Sequence, residues 1–267
     1  MYRGFNVKNI EIEDEKYYNK GYEKMVENKN AISDKLHNFI PNNGKIDGTN
    51  IQNSWFPTID ADVFISHAHS DENIALTLAG WLWCRFRLTS FVDSCVWGYS
   101  NDLQKIIDEQ FCKKGYNSNS YESRNFSTSH VHMMLASALT IMIDSAECLF
   151  FLNTPSSLSV SDIEDKTCSP WIYHELTISK YIRKRFPTRH KRKSLLAYRS
   201  IPKEARLKME YYIDLSNLVT ISESDLVVWG NHCKSTKLNA LDDLYKRHPI
   251  NPIKKRSAPK VCRYPCS

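Results

Sequence analysis

Short apolar runs alternate with longer amphipathic segments through the middle of the chain. Two of these runs, Asp62–Ser66 and Glu147–Asn153, are short, apolar and without regular polar alternation, which is typical of strands buried on both faces of a parallel sheet. A third run, Thr89–Val92, resembles them and leads into Asp93 and Ser94. Strands that alternate with helices predict an α/β fold, with helices on both faces of a parallel sheet.

Helices are predicted between the strands. Apolar residues recur every four positions from Ile74 to Phe86, behind a start at Ser70–Glu72 that places acidic residues in the first turn. The other predicted segments are helices over about 101–111 and 130–144, an inserted loop over 113–128, and strands over Leu195–Tyr198 and Tyr211–Leu215.

The flanking segments differ in texture from this central part. Tyrosines and aliphatic residues recur at loose three-to-four spacing over 11–40, which predicts one or two amphipathic helices. Asparagine and glycine are frequent over 42–53, which indicates a linker. We therefore predict a helical N-terminal extension over 1–58, a central domain over 59–215 and a C-terminal extension over 216–267.

The composition is that of a globular protein, with 25% charged and 42% hydrophobic residues, but glycine is scarce. The 267 residues include only 8 glycines, and no two of them have the spacing required by G-x-G-x-x-G or G-x-x-x-x-G-K-[ST]. Any nucleotide that this protein binds is therefore held without either of those phosphate-binding loops.

Charge and hydropathy give little support for binding to a nucleic acid or a membrane, and cysteine usage indicates the compartment. The net charge is +6, and the basic run over 183–193 is interpreted as a solvated helix end and loop, without the aromatic platform of a base-stacking surface. The cysteines are scattered without a C-x-x-C pair, as in a cytoplasmic protein with reduced thiols. The longest apolar stretch, Met133–Ile143, is well below the ~20 residues of a membrane span.

Two pairs of histidines are candidate metal ligands. His67-Ala68-His69-Ser70-Asp71 resembles the H-x-H-x-D-H zinc motif of metallo-β-lactamase-like hydrolases, but position 72 is Glu where that motif has its last histidine. His130 and His132 are two residues apart on a predicted helix and so face apart. We predict no metal, and the alternative for His67 and His69 is that of loop histidines with ordinary hydrogen bonds.

A second candidate is the segment from Ser169 to Leu176. Ser169 can cap a helix and Pro170 suits its first turn, while Trp171 and Glu175 are four residues apart and share a face. Ligands of parallel sheets bind beyond the carboxyl ends of the strands, where this helix is expected to begin. A tryptophan packed beside a surface glutamate is the simpler interpretation of the same pattern.

Taken together, four segments resemble those of a bacterial TIR (Toll/interleukin-1 receptor) domain, over roughly residues 59–200. The segments are Asp62-Val63-Phe64-Ile65-Ser66-His67, Phe91-Val92-Asp93-Ser94, Glu147–Asn153 and Ser169-Pro170-Trp171-x-x-x-Glu175-Leu176. The resemblance implies a flavodoxin-like fold. The insertion over 113–128 departs from the family pattern.

The resemblance also implies a function. Catalytic TIR domains cleave NAD, as a substrate rather than a cofactor, at the nicotinamide–ribose bond, and their essential glutamate corresponds to Glu175. The residues expected around the substrate are Ser66, His67, His69, Asp93, Ser94, Trp97 and Trp171. The product would be ADP-ribose or a cyclic or conjugated messenger made from it.

The same resemblance implies a cytoplasmic enzyme of anti-phage defence, of the Thoeris type, that assembles into a homo-oligomer on activation and signals to a separate effector. Two alternatives remain open at this stage. Some TIR domains are non-catalytic adaptors that act by self-association. Nucleoside 2-deoxyribosyltransferase-like enzymes share the general fold and also break an N-glycosidic bond.

Overall fold

The computed structural model describes residues 1–33, 48–56, 58–111, 121–161, 164–189 and 211–250. The strands are β1 (Arg3–Lys8), β2 (Val63–Ser66), β3 (Ser90–Val92), β4 (Cys148–Asn153), β5 (Ser159–Ser161), β6 (Glu164–Thr167), β7 (Tyr211–Tyr212) and β8 (Val219–Ser222). The helices are α1 (Glu15–Ser33), α2 (Gly48–Trp55), α3 (Glu72–Phe86), α4 (Ser94–Phe111), α5 (Tyr121–Ser145), α6 (Pro170–Tyr181), α7 (Glu223–His232) and α8 (Leu238–Arg247).

Five parallel strands form the central sheet in the order β3-β2-β4-β1-β8. The predicted α/β class is thus confirmed, and the order β3-β2-β4 matches the 2-1-3 start of the flavodoxin-like order 2-1-3-4-5. Strands β5, β6 and β7 form a separate small antiparallel sheet. The described fold is therefore compatible with a flavodoxin-like architecture.

Helices cover both faces of the central sheet. Successive side chains along each strand point to opposite faces, so the sheet separates two hydrophobic cores. One core contains Val63 and Ile65 of β2 together with residues of α1, α3, α7 and α8. The other contains Phe64 of β2 together with residues of α2, α4, α5 and α6. We call these the α3 face and the α5 face of the sheet. Ser66 follows the alternation of Phe64 and so belongs to the α5 face.

The N-terminal segment is not the purely helical extension that the sequence predicted. Strand β1 lies inside the sheet, paired with β4 on one side and with β8 on the other. Its Phe5 and Val7 are fully buried in the core of the α3 face. Residues predicted to lie outside the central domain thus occupy the fourth position of its sheet, and β8, from the predicted C-terminal extension, occupies the fifth.

Helix α1 is tied to the fold by a glycine contact. Gly21 of α1 and Gly80 of α3 lie at the crossing of the two helices, and a Cβ on Gly80 would overlap the carbonyl oxygen of Tyr17. A Cβ on Gly21 would likewise overlap the carbonyl oxygen of Leu76. The two backbones can approach this closely only because both positions lack a side chain.

Other predicted boundaries also changed. The helix expected from about residue 101 begins earlier, at Ser94, as α4, and residues 121–128, expected to belong to an inserted loop, begin α5. Residues 48–53 of the predicted linker lie in α2. The strand expected over Tyr211–Leu215 is reduced to β7 in the small sheet, and the strand expected over Leu195–Tyr198 lies outside the described residues.

Helix α5 is longer than the apolar run from which it was predicted. Its segment Ser123–Ser145 has the length and composition of a membrane-spanning helix. In the fold, however, one side of this segment packs in the core of the α5 face, where Val131, Leu135 and Leu139 are buried. It therefore packs as the core helix of an α/β protein, whereas Phe126, Met133 and Ile141 on the same helix are exposed.

Candidate active site at the carboxyl edge of the sheet

Helix α6 places Glu175 over the carboxyl ends of the strands, and its start is as predicted. The Oγ of Ser169 accepts a hydrogen bond from the backbone N–H of Ile172 at 3.3 Å, with Pro170 in the first turn. One helix face buries Ile172, Glu175, Leu176 and Ser179. Glu175 is therefore held on the side of α6 that turns towards the sheet.

The ends of strands β2 and β3 bring Ser66 and Asp93 to the same edge of the sheet as Glu175. Ser66 is the last residue of β2, and Asp93 directly follows β3. Since Ile65 pairs with Val92, the next residues, Ser66 and Asp93, lie side by side on the α5 face. Asp93 also precedes the first residue of α4, where the positive end of a helix dipole favours a carboxylate.

Asp93 forms a short ion pair with His67. The Nδ1 of His67 lies 2.6 Å from Oδ1 of Asp93, and both side chains are fully buried. Burial is the largest single effect and lowers the pKa of His67, but the charge and hydrogen bond of Asp93, with smaller contributions from Glu72 and the Ile65 backbone, together raise it above the ordinary 6.5. The protonated imidazole is therefore favoured relative to a free histidine, and in that form it balances the Asp93 charge.

The Glu175 carboxyl lies beside the Asp93 carboxylate and the Ser66 hydroxyl, and its side chain has 0% exposure. Burial and then the Asp93 charge raise the pKa of Glu175 well above 4.5, and Ser66 opposes this. The neutral, protonated form of Glu175 is therefore favoured relative to that of an exposed glutamate when no ligand is present.

Several polar atoms of this group have no aligned hydrogen-bond partner among the described residues. They are the hydroxyl oxygens of Ser66 and Ser94, Oδ2 of Asp93 and both carboxyl oxygens of Glu175. Buried polar atoms without partners are rare in proteins, because each costs about 1–3 kcal/mol. Four neighbouring side chains in this condition are typical of a site built for a polar ligand.

A polar contact also joins the loops after β2 and β4. Asp71, in a 3₁₀ turn over His69–Asp71, accepts a hydrogen bond of 2.5 Å from the Oγ1 of Thr154. This contact holds the loop that carries His67 against the end of β4. The sequence placed Asp71 in a helix start and in the incomplete zinc motif but did not reveal this contact, because Thr154 lies 83 residues away and no local pattern connects the two.

The remaining predicted residues are less closely involved. His69 is exposed, in contrast to the buried His67, so the two imidazoles do not share one environment. Trp171 is half-buried, and its ring packs edge-on against His132 of α5, with centroids 5.6 Å apart. Trp97 lies within α4 rather than in a loop, and its side chain lies outside the described part. Within the described ranges, no cluster of three or more His, Cys, Asp and Glu side chains has the arrangement of a metal site.

A second polar row, which the sequence did not reveal, crosses the other half of the same face. Asn153 donates from Nδ2 to Oδ1 of Asn6 at 2.9 Å, and Nδ2 of Asn6 lies 3.5 Å from Oγ1 of Thr220. Asn6 is paired in register with Phe151 of β4, which also pairs with Ser66 of β2. Phe5 and Val7, which alternate with Asn6 in a short N-terminal run, were the only sequence signal for this strand.

Comparisons of the chain with protein-family models, with curated proteins and with solved structures gave no match. Function must therefore be inferred from the chemistry of the site and from the motifs that the residues carry.

Proposed function

We propose that this protein is a TIR-like enzyme that cleaves NAD at the bond between nicotinamide and ribose, with Glu175 as its catalytic residue. The observation that carries the proposal is the environment of Glu175. This carboxyl is fully buried at the carboxyl edge of a parallel sheet, beside Ser66 and Asp93, and neither of its oxygens has an aligned hydrogen-bond partner among the described residues.

The reaction suits a single reacting carboxylate. The bond between ribose C1′ and the ring nitrogen breaks, its electron pair goes to that nitrogen, and nicotinamide leaves as a neutral molecule. The positive charge that develops on the ribose is stabilised by the Glu175 carboxylate, whose burial keeps bulk solvent from weakening the interaction. Water then attacks C1′ and loses a proton, which yields ADP-ribose; attack by another nucleophile would yield a cyclic or conjugated product.

A glycosidase acting on an ordinary sugar needs a second carboxylic acid to protonate its leaving oxygen. The cationic nicotinamide ring needs none. Asp93 is paired to His67 at 2.6 Å and is thereby unsuited to deliver a proton to a leaving group. With Glu175 assigned as the anion that stabilises the ribose, neither carboxyl of the site is left to protonate a leaving group, which suits a substrate whose leaving group departs without protonation.

The closed state of the site bears on activation. Because Glu175 has no exposed surface, substrate can enter only after the side chains that cover it have moved. Such a protein would have little activity until a trigger opens the site. We propose that assembly into a homo-oligomer is this trigger. The biological setting that we propose is anti-phage defence, in which a separate effector responds to the product.

The alternative function is a non-catalytic module that acts by self-association with copies of itself. It is favoured by the exposed residues Phe126, Met133 and Ile141 of α5, which are 69%, 65% and 45% exposed. Their spacing of seven and eight residues places them on one side of the helix. The same surface would also serve the assembly of an enzyme, so it does not decide between the two.

The test is mass spectrometry of NAD incubated with concentrated protein, with Glu175→Gln and with Glu109→Gln as the matched control. Glu109 is an exposed residue of α4, so its substitution removes the same charge elsewhere. We expect nicotinamide release by wild type and by Glu109→Gln, and a loss of at least about 100-fold in Glu175→Gln. Release by all three would refute the assignment of Glu175; release by none, at any protein concentration, would favour the self-association module.

A further inference from the structure

The charges of the buried group do not balance when Glu175 is ionised. Protonated His67 and ionised Asp93 cancel, at a distance of 2.6 Å and with no exposed surface on either side chain. An ionised Glu175 then adds one negative charge, and the described groups that act on it are Asp93 and the Ser66 hydroxyl, with no cation among them. An unpaired charge in a dry site is strongly disfavoured, so the resting group is neutral with Glu175 protonated.

A ligand can supply the missing positive charge. The nicotinamide ring of oxidised NAD is a cation, whereas the ring of reduced NAD is neutral. A cation next to Glu175 would let this carboxyl lose its proton and so become the anion that the reaction needs. A neutral ring of nearly the same shape would leave Glu175 protonated.

We propose that Asp93, held by His67, is a positioning residue that keeps Glu175 protonated until a cationic ring enters, so that the site selects cationic N-ribosyl nucleotides over neutral ones. This inference rests on the proposed function of Glu175. It assigns to Asp93 an electrostatic role, acting through Glu175 rather than on the substrate itself.

The other ionisable groups near the site do not oppose the effect of Asp93 on the charge of Glu175. Glu72, at the start of α3, acts on His67 in the same direction as Asp93 but more weakly. His174 on α6 turns towards α5, where its Nε2 lies 3.1 Å from both the Thr140 Oγ1 and the Ala136 carbonyl oxygen. Besides burial and the Ser66 hydroxyl, the charged groups that act on Glu175 are thus Asp93 and, through it, His67.

The test is the pH dependence of two quantities between pH 5 and 9. The first is kcat/KM for nicotinamide release from NAD, and the second is the inhibition constant of reduced NAD. In wild type we expect kcat/KM to rise about tenfold per pH unit along its acidic limb, while the inhibition constant stays flat. In Asp93→Asn the limb should move at least about one pH unit lower, because the charge that holds the proton on Glu175 is gone.

His67→Gln is the second variant, and it should act in the opposite direction. It leaves the Asp93 charge without its counterion, so the acidic limb should move to higher pH. A purely structural role of either residue would lower kcat/KM at every pH and leave the limb in place. An acidic limb that stays in place in Asp93→Asn would overturn the inference. If Asp93→Asn does not fold, an unshifted limb in His67→Gln would do the same. Equal pH dependence of kcat/KM for NAD and of the inhibition constant of reduced NAD would also overturn it.

Failure of the proposed function would look different. Wild type would then release no nicotinamide, and the coupling would be tested by the pH dependence of thermal unfolding instead. If the coupling exists, Glu175→Gln and Asp93→Asn should each show a smaller loss of melting temperature than wild type between pH 5 and 9. If all three lose the same amount, the coupling is absent whatever the enzyme does.

Discussion

His67 and Asp93 form an ion pair of 2.6 Å with no exposed surface, although they follow different strands and lie 26 residues apart. The pair joins the ends of β2 and β3 directly beneath Glu175 of α6. Its consequence is that the stability of the protein and the charge of the candidate catalytic residue depend on the same few groups.

The first prediction concerns the stability of Glu175→Gln. The pKa of Glu175 is raised in the folded protein by burial and by Asp93, so this carboxyl stabilises the fold fully below its unfolded pKa, and the contribution is lost as the pH rises through the folded pKa. Glutamine has no such proton. At pH 9 we expect Glu175→Gln to be more stable than wild type by more than about 1 kcal/mol. At pH 5 we expect this advantage to be smaller.

Urea unfolding at pH 5, 7 and 9 measures this difference directly. Glu109→Gln serves as the control and should follow wild type at all three values. A gap between Glu175→Gln and wild type that stays constant with pH would show that Glu175 does not bind a proton more tightly in the folded state.

The second prediction concerns His67→Gln. The pKa of His67 is raised in the fold, because the charge and hydrogen bond of Asp93, with smaller contributions from Glu72 and the Ile65 backbone, together outweigh burial. Its contribution to stability is therefore present below about pH 6.5 and is lost as the pH rises through the folded value. Removing it also leaves a buried carboxylate unpaired, at a cost of about 3 kcal/mol or more. We expect the loss of unfolding free energy to be larger at pH 6 than at pH 9.

His232→Gln is the matched control, because His232 is exposed and lies at the end of α7. It should change the free energy of unfolding by less than about 0.5 kcal/mol at either pH. Equal losses in His67→Gln and His232→Gln would contradict the buried ion pair.

The third prediction concerns the crossing of α1 and α3. Gly21→Ala and Gly80→Ala each place a methyl group against a backbone carbonyl, which cannot move aside as a side-chain end can. We expect each to lose roughly 1–3 kcal/mol or more of stability in thermal or urea unfolding. At Gly48 the added methyl would meet only the Cε of Met134 at 3.3 Å, so Gly48→Ala should be well tolerated. Wild-type stability in Gly80→Ala would mean that the two helices do not pack in this way.

The fourth prediction concerns a chain that begins at residue 59, the start of the central domain that the sequence suggested. This truncation removes β1 and leaves β4 and β8 without their shared neighbour in the sheet. It also uncovers the core around Phe150 and Leu152. We expect no cooperative unfolding transition by circular dichroism, whereas a chain over 1–250 should retain one. A cooperative transition in the shorter chain would show that β1 is dispensable.

Local patterns in the sequence determined much of the fold and, within the site, the helix that carries Glu175. The apolar runs located β2, β3 and β4, and a period of four residues located the buried side of α3. Ser169 and Pro170 marked the start of α6, because capping and the first helical turn depend on residues adjacent in the chain. Glu175 was singled out by its position in the W-x-x-x-E motif.

The tertiary structure decided which elements are neighbours. Strand β1 pairs with β4, 145 residues away in the register Arg3 to Cys148, and alternation along a strand shows how it is buried but not beside which strand. The short distance between His67 and Asp93, and the burial of Glu175 beside them, likewise arise only when β2, β3 and α6 come together. Because charge coupling depends on distance in space and on the exclusion of water, the ionisation of Glu175 could not be determined from the sequence by itself.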